Sequence, residues 1–246
     1  MIDRKQRIAH ACAGLAFFSV NTVAEVQTAT LEKATLNIDT DTNDFTISAL
    51  HDSGFQVTYL TDDNGTPYAN LPSMALPEPA LTGVKNKKAN DVELVETATT
   101  LNLKLNNIAA HVDKATHAIS YSVNGKIVAK EQGGLSISSK GVSLSFALDK
   151  NEKLYGGGQR VLGMDRRGHS MPLYNKAHYG YTTSSNQMYF GLSAVMSSKN
   201  YSVLFDNTAS GELDIGKTNS DELLFKAQGG RASYIMVLGE NLEDTV

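Results

Sequence analysis

The second half of the chain holds a stretch whose residue types are suited to chemistry. Three consecutive glycines, Gly156 to Gly158, precede a series of amide, guanidinium, carboxylate, imidazole and phenol groups: Gln159, Arg160, Asp165, Arg166, Arg167, His169, Tyr174, Asn175, His178, Tyr179 and Tyr181. Aromatic rings stack on the C–H faces of sugars, and amides and guanidinium groups bind hydroxyls. The composition fits a carbohydrate-binding surface. It fits equally a solvated loop in which Asp165 pairs with a neighbouring arginine.

Other site chemistries lack their signatures. The glycine run has neither the Lys-Ser/Thr of a P-loop nor the spaced glycines and following helix of a dinucleotide site. No Gly-x-Ser-x-Gly elbow occurs, and the six histidines form no metal-binding pair. Asp62-Asp63-Asn64-Gly65 resembles a calcium loop only in its first residues and is interpreted as a hairpin turn. We therefore expect no metal or other cofactor.

The glycines themselves indicate a structural constraint. Glycine allows a backbone to turn sharply and to approach another closely. In a β-protein this predicts a bulge, or a strand end pressed against a neighbouring backbone or a ligand.

The elements around this stretch follow a period of two. Apolar side chains alternate with polar ones in several runs, which gives each run one buried face: Phe45-Ile47-Ala49, Phe55-Val57-Tyr59, Leu101-Leu103-Leu105 and Ile119-Tyr121-Val123. Turn residues separate such runs, most clearly at Asn124-Gly125, and also at 63–65, 140–141 and 229–230. Residues 67–79 contain four prolines and predict a long loop. We predict an all-β protein, an antiparallel sandwich rather than two smaller domains.

Composition limits the class of partner. The chain has 246 residues, 41% of them hydrophobic, which is enough for a packed core. Its formal charge of -4 is too mild and of the wrong sign for a nucleic-acid-binding face. We therefore expect no nucleic-acid partner.

The N-terminus has the layout of a secretory signal peptide. Arg4, Lys5 and Arg7 precede a mostly apolar run, and the small residues up to Ala24 provide a cleavage site. We predict a signal peptide over 1–24, export to the periplasm or the extracellular space, and no membrane association after cleavage. A helical or disordered tail is the alternative. Cys12, the only cysteine, lies inside this segment, so the mature chain would hold no disulfide.

The C-terminus predicts the start of a further element. Asn241 is suited to cap a helix, with Glu243 and Asp244 in its first turn. Because this helix would break off at Val246, we expect the chain to be part of a longer protein.

An ordered series of short motifs resembles one enzyme family. Over residues 153–246 the chain is similar to the N-terminal β-sandwich of glycoside hydrolase family 31, and the similarity lies in six motifs: Leu154-Tyr-Gly-Gly-Gly-Gln-Arg160, Arg167-Gly168, Leu173-Tyr-Asn175, Tyr179-Gly180-Tyr181, Asn200-Tyr-Ser-Val-Leu-Phe-Asp-Asn207 and Ser233-Tyr-Ile-Met-Val-Leu-Gly239. Residues 30–150 match only as generic sandwich strands.

The resemblance implies a fold and an activity. It implies a galactose mutarotase-like supersandwich over 25–238, with 239–246 leading to a (β/α)8 catalytic barrel of the same polypeptide. The parent protein would be a retaining α-glycosidase acting on oligosaccharides. Its two catalytic aspartates would lie on the barrel, so no residue of this chain is assigned a catalytic role; Asp165 and Asp206 lie in turn-like sequence.

The resemblance also implies a substrate-binding loop. The loop would wall the sugar pocket with Tyr174, Asn175, Ala177, His178 and Tyr179. Ala177 or His178 stands where many α-glucosidases of the family have an aspartate, and Gln159 stands in place of the usual glutamate. These departures keep α-galactosidase and α-xylosidase activity open beside α-glucosidase activity.

Two other functions fit the same sandwich. A stand-alone carbohydrate-binding module would need its own stacking surface, and the chain has no tryptophan. A mutarotase-like enzyme would need a histidine and a glutamate converging on one sheet face. Only His111 and His117 lie in strand-like sequence, without an obvious glutamate partner.

Overall fold

The structure, a computed structural model, describes residues 26–60, 72–76, 92–177 and 179–246. The signal-peptide segment 1–24, the turn at 62–65 and His178 lie outside these residues. The described residues form eighteen strands and one 3-10 turn, Glu243–Thr245: β1 Val26–Glu32, β2 Thr35–Thr40, β3 Phe45–Leu50, β4 Gly54–Tyr59, β5 Glu93–Glu96, β6 Thr100–Leu105, β7 Ile108–Asp113, β8 Ile119–Val123, β9 Lys126–Lys130, β10 Ser136–Ser138, β11 Gly141–Ala147, β12 Leu154–Gly158, β13 His169–Leu173, β14 Gly191–Ser197, β15 Tyr201–Phe205, β16 Gly211–Ile215, β17 Glu222–Ala227 and β18 Ser233–Leu238.

The strands make three antiparallel sheets. One has eight strands in the order β1-β2-β3-β4-β18-β15-β14-β12. The other two have five each, β5-β6-β7-β8-β9 and β10-β11-β17-β16-β13. A bridge between Glu131 and Phe146 joins the end of β9 to β11. The two five-stranded sheets are thus continuous at this point and face the larger sheet, which confirms the predicted antiparallel sandwich.

Aromatic rings from both layers fill the space between them. Phe55 of β4 packs on Tyr121 of β8, with ring centroids 6.2 Å apart. Phe205 of β15 stacks on Phe225 of β17 at 4.5 Å. The alternating apolar residues predicted from the sequence are the ones that meet here, because one face of each strand points into the sandwich.

A buried carboxylate sits inside this aromatic core. Glu131 accepts hydrogen bonds from Tyr59 Oη (3.1 Å), Tyr234 Oη (2.7 Å) and the backbone N–H of Ile119 (3.0 Å). Tyr234 in turn shares a hydrogen bond of 2.6 Å with the hydroxyl of Tyr121. Burial raises the pKa of Glu131 to about 7, because desolvation outweighs the three hydrogen bonds.

The predicted turns are found where they can be described. Asn124 and Gly125 join β8 to β9 with φ of 51° and 77°, the left-handed pair that a type I′ turn requires. Near the C-terminus, Asn241 Oδ1 accepts the N–H groups of Glu243 (2.9 Å) and Asp244 (3.2 Å). Asn241 therefore binds the N–H groups at the start of a helical turn, but this is a 3-10 turn of three residues whose N-cap position is Leu242 rather than the predicted Asn241.

Only part of the proline-rich segment is described. Residues 72–76 form no strand, in agreement with the predicted loop. The N–H groups of Met74 and Ala75 donate to Asp206 Oδ1 at 3.3 and 3.4 Å. None of the helices in the described part of the chain is long and apolar enough to cross a membrane.

Candidate functional site

The three glycines lie in β12, the edge strand of the eight-stranded sheet, in a bulge against β14. All three have positive φ, between 75° and 117°. A Cβ on Gly156 would lie 2.6 Å from the carbonyl oxygen of Ala194, and one on Gly158 would lie 2.6 Å from that of Phe190. The prediction of a bulge pressed against a neighbouring backbone is confirmed.

The middle glycine points towards the other layer. A Cβ on Gly157 would lie 2.5 Å from Cε of Met171, a buried residue of β13. Because β13 is the edge strand of its five-stranded sheet, the glycines allow the edges of the two layers to meet. We call residues 154–168 the glycine–arginine ribbon.

The arginines of this ribbon are bound to backbone carbonyls. Arg160 is buried and donates to the carbonyl oxygens of Phe190 (2.7 Å), just before β14, and Pro172 (2.9 Å), in β13. Arg166 donates to those of Leu162 and Gly163, both at 2.7 Å. Burial, followed by the charge of Arg166, lowers the pKa of Arg160 below its usual value.

Arg167 is engaged in the same way. It donates to the carbonyl oxygens of Glu152 (3.0 Å) and Ser220 (2.6 Å). Asp165 accepts the N–H groups of Leu154 (3.2 Å) and Arg167 (3.1 Å) through one oxygen. The arginines that suggested hydroxyl binding are therefore structural braces, which the sequence pattern did not reveal.

The predicted substrate loop follows β13 and is exposed. Tyr174 is 53% exposed and Tyr179 is 87% exposed, and Asn175 and Ala177 also lie at the surface. Asn175 Oδ1 accepts the N–H of Gly191 at 2.5 Å, which fastens the loop to the start of β14. Of the five predicted residues, only Tyr174 and Asn175 line a common hollow; Ala177 and Tyr179 are exposed in the same loop, and His178 lies outside the described part.

Tyr181, named among the candidate groups above, and two aromatic residues that the sequence analysis missed, Tyr189 and Phe190, extend this exposed surface. Tyr181 and Tyr189 meet edge to face with centroids 6.3 Å apart, and Phe190 is half exposed beside them. We call residues 174–192 the aromatic segment. The adjacent pair Tyr189-Phe190, next to a turn and outside any strand, is the sequence signal that could have identified them.

A hollow of about 380 Å³ lies beside the segment, lined by residues that include Tyr174, Asn175, Gly191 and Asn207. The Nζ of Lys176 lies 5.8 Å from the ring centroid of Tyr174, within the range of a cation–π contact. The ring of Tyr174 and the amides of Asn175 and Asn207 line the hollow, and such groups bind sugar C–H faces and hydroxyls. No group of three or more potential metal ligands occurs in the described ranges.

Two further candidate groups, Asp206 and His111, have structural partners. Asp206 is buried and lies 3.0 Å from Nε of Arg231. His111 in β7 hydrogen-bonds to Asn102 (2.7 Å) and Ser122 (2.8 Å), and burial followed by the charge of Lys104 lowers its pKa. His117, predicted in a strand, instead lies in the turn before β8 with φ of 59°, because the β7–β8 connection requires a left-handed residue there.

The double-layered antiparallel sandwich, with its bulged glycine edge, defines a galactose mutarotase-like domain. A family model described as the glycosyl hydrolase 31 N-terminal galactose mutarotase-like domain matches residues 24–214. The chain belongs to this family. This match also includes residues 30–150, where the sequence motifs indicated no more than generic sandwich strands.

Known relatives are glycosidases. The chain is 26% identical over 132 residues to alpha-glucosidase 2 of Bacillus thermoamyloliquefaciens, covering 51% of this chain and 17% of the relative. It is 25% identical over 137 residues to the alpha-xylosidase of Saccharolobus solfataricus, covering 50% and 18%.

A solved structure shows the same fold. The family 31 dextranase of Flavobacterium johnsoniae, in complex with isomaltotriose, superposes with a TM-score of 0.79 at 18% identity, covering 90% of this chain and 27% of that one. The chain thus spans less than a fifth of the two relatives and about a quarter of the dextranase.

Proposed function

We propose that the chain is the N-terminal β-sandwich of an exported, retaining α-glycosidase that hydrolyses O-glycosidic bonds of oligosaccharides. The sandwich would extend over 25–238, and 239–246 would lead to a (β/α)8 catalytic barrel. The observation that carries the proposal is the family match over residues 24–214. Relatives named for glucoside, xyloside and dextran substrates support an α-glycoside as the substrate class.

The aromatic segment would serve the substrate pocket. Tyr174, Asn175, Ala177, His178 and Tyr179 would wall the sugar site once the barrel is in place. Support comes from two observations: the ring of Tyr174 lines the hollow at Asn175, and Tyr179 is exposed although aromatic side chains are usually buried. The same exposed surface is expected to promote aggregation when the sandwich is isolated.

The chemical step would take place on the barrel. A retaining mechanism needs a nucleophile and an acid/base whose carboxyl groups lie about 5–5.5 Å apart. Asp165 and Asp206 are bound to backbone N–H groups and to Arg231, so they are poorly placed to supply that pair. The sandwich would contribute binding and support rather than catalysis.

Hydrolysis by the natural polypeptide tests this proposal. The complete reading frame that contains this chain is to be expressed and assayed with the p-nitrophenyl α-glycosides of glucose, xylose and galactose. We expect release of p-nitrophenol from at least one and an α-configured sugar as the first product by NMR. The 246-residue chain alone should release none. Inversion at the anomeric carbon, or hydrolysis by the chain alone, would contradict the proposal.

Export is tested separately. If residues 1–24 are a signal peptide, the mature protein recovered from the periplasm or the medium begins at Glu25. N-terminal sequencing gives the answer, and retention of Met1 in the cytoplasm would refute export.

A stand-alone carbohydrate-binding module remains the second candidate, because the aromatic segment offers a stacking surface of its own. A natural polypeptide that binds oligosaccharides and hydrolyses none of the three aryl glycosides would favour it.

A further inference from the structure

A larger groove lies on the outer face of the sheet β10-β11-β17-β16-β13. Its volume is about 770 Å³, within the range of ligand-binding clefts. It runs from the β10–β11 turn at Lys140, across the start of β11 and the end of β17, to Tyr174 after β13. Since neighbouring strands are about 4.8 Å apart, these five strands span roughly 19 Å.

The register of the strands sets which side chains line the groove. Ser143, Lys226 and Glu212 are paired across β11, β17 and β16, and all three point away from the core. Gly141 and Gly211 lie on either side of β17 and allow their strands to approach its backbone closely. A Cβ there would come within 1.9 Å of the carbonyl oxygen of Ala227 and 2.0 Å of that of Lys226, respectively.

The groups in the groove select a neutral, hydroxyl-rich ligand. Lys226 Nζ lies 4.0 Å from Glu212 Oε2, and Ser170 Oγ donates to the other oxygen of Glu212. The charges of Lys226 and Glu212 largely cancel, and Lys140 adds a cation only at the β10–β11 turn, so the middle of the groove favours a neutral ligand. Lys226 and Glu212 still provide donors and acceptors for hydroxyls, and Tyr174 provides a half-exposed ring at one end.

Two residues connect the groove to the hollow beside the aromatic segment. Tyr174 and Ser210 line both. A ligand longer than one or two sugars can therefore lie over Tyr174, with one end at Asn175 and the other on the sheet.

We infer that the groove is a remote binding site for a neutral oligosaccharide, which extends the substrate site across the outer face of the sheet. The inference rests on the proposed function for its ligand class. It predicts a preference for long saccharides over short ones, because only the long ones reach from the hollow at Asn175 across the sheet to Lys140.

A blocking substitution with a matched control tests the site. Ser143→Phe places a ring in the groove at an outward, β-compatible position, whereas Ser145→Phe adds the same ring two residues along β11, outside the groove lining. Lys226→Ser is a second groove variant, which shortens an exposed side chain and removes the cation that faces Glu212. Calorimetry with the 246-residue chain measures binding of maltohexaose, isomaltohexaose and glucose.

We expect at least one hexasaccharide to bind and glucose to give no measurable heat. Ser143→Phe should weaken hexasaccharide binding about tenfold, Lys226→Ser severalfold, and Ser145→Phe less than twofold. Binding of neither hexasaccharide, or equal effects of Ser143→Phe and Ser145→Phe, would overturn the inference.

Kinetics of the natural polypeptide separate this inference from the proposed function. Ser143→Phe should lower kcat/KM for the hexasaccharide about tenfold more than for the aryl glycoside, through KM. Equal losses on both substrates would overturn the groove while leaving the glycosidase intact. A polypeptide that hydrolyses nothing but binds hexasaccharide in a Ser143-dependent way would reject the proposed function and retain the groove.

Discussion

The glycine–arginine ribbon and the aromatic segment are neighbours in the chain, yet they use their functional groups in opposite ways. In the ribbon, Arg160, Arg166 and Arg167 donate to backbone carbonyls within the sandwich. In the aromatic segment, the rings of Tyr174 and Tyr179 are exposed. The arginines of the ribbon are bound within the fold, so the ribbon stabilises the sandwich. The tyrosines of the aromatic segment are exposed, so this segment is available for binding.

The largest effect is expected at Gly158. A Cβ there would lie 2.6 Å from the carbonyl oxygen of Phe190 and 2.7 Å from the N of Leu192, at a φ of 84°. Gly158→Ala should therefore lower the free energy of unfolding by about 4 kcal/mol, measured by urea unfolding with far-UV circular dichroism. Gly163, which has open space around it, is the matched control, and Gly163→Ala should change stability by less than about 1 kcal/mol. If Gly158→Ala and Gly163→Ala lowered the free energy of unfolding by similar amounts, the close backbone contact at Gly158 would not limit the residue at that position.

Glu131 lies outside both regions. The pH dependence of the free energy of unfolding at this residue measures how much a buried charge destabilises the sandwich. The folded pKa of Glu131, about 7, lies above the ordinary value of 4.5. Folding favours the protonated, neutral form of Glu131. The protonated carboxyl therefore stabilises the fold fully below pH 4.5, and this stabilisation is lost as the pH rises to about 7. That loss amounts to about 3 kcal/mol.

The variant Glu131→Gln should remove this pH dependence, because the amide does not titrate. Urea unfolding of both proteins between pH 4.5 and 8 gives the comparison. Parallel stability profiles for the two proteins would show that Glu131 does not titrate in that interval.

Arg160 tests the ribbon's polar groups directly. Arg160→Lys keeps the charge, but a single ammonium cannot span the carbonyls of Phe190, before β14, and Pro172, in β13. We expect a loss of about 2 kcal/mol in the free energy of unfolding, since buried carbonyls lose their donors. Lys217→Met, at an exposed cation, should be neutral within about 0.5 kcal/mol. A neutral Arg160→Lys variant would return Arg160 to the set of candidate ligand-binding residues.

Local patterns predicted the fold better than the site. The alternation in Phe45-Ile47-Ala49 and the turn at Asn124-Gly125 are set by neighbours in sequence, and both are found in the structure. The triple glycine was also predicted correctly as a bulge, since few other contexts require three adjacent residues without Cβ atoms.

The role of the arginines could not be read from local sequence. Arg160 binds carbonyls 12 and 30 residues away, and these come close only because β12 and β13 are edges of facing layers. The groove at Ser143 has the same origin, since Ser143, Lys226 and Glu212 meet only through strand register. Sites built from such pairings are visible in topology rather than in motifs.

The smallest effect on stability is expected in the aromatic segment. It tests directly whether this segment, unlike the ribbon, is dispensable for folding. Tyr179 is 87% exposed, so Tyr179→Ser should change the free energy of unfolding by less than about 0.5 kcal/mol. Tyr234→Phe is the matched tyrosine control inside the sandwich. It should cost about 1–2 kcal/mol, because Glu131 loses a hydrogen bond of 2.7 Å. If Tyr179→Ser proved as destabilising as Tyr234→Phe, the ring would belong to the fold. If it were neutral for folding and still weakened substrate binding by the natural polypeptide, its exposure would be explained by ligand contact.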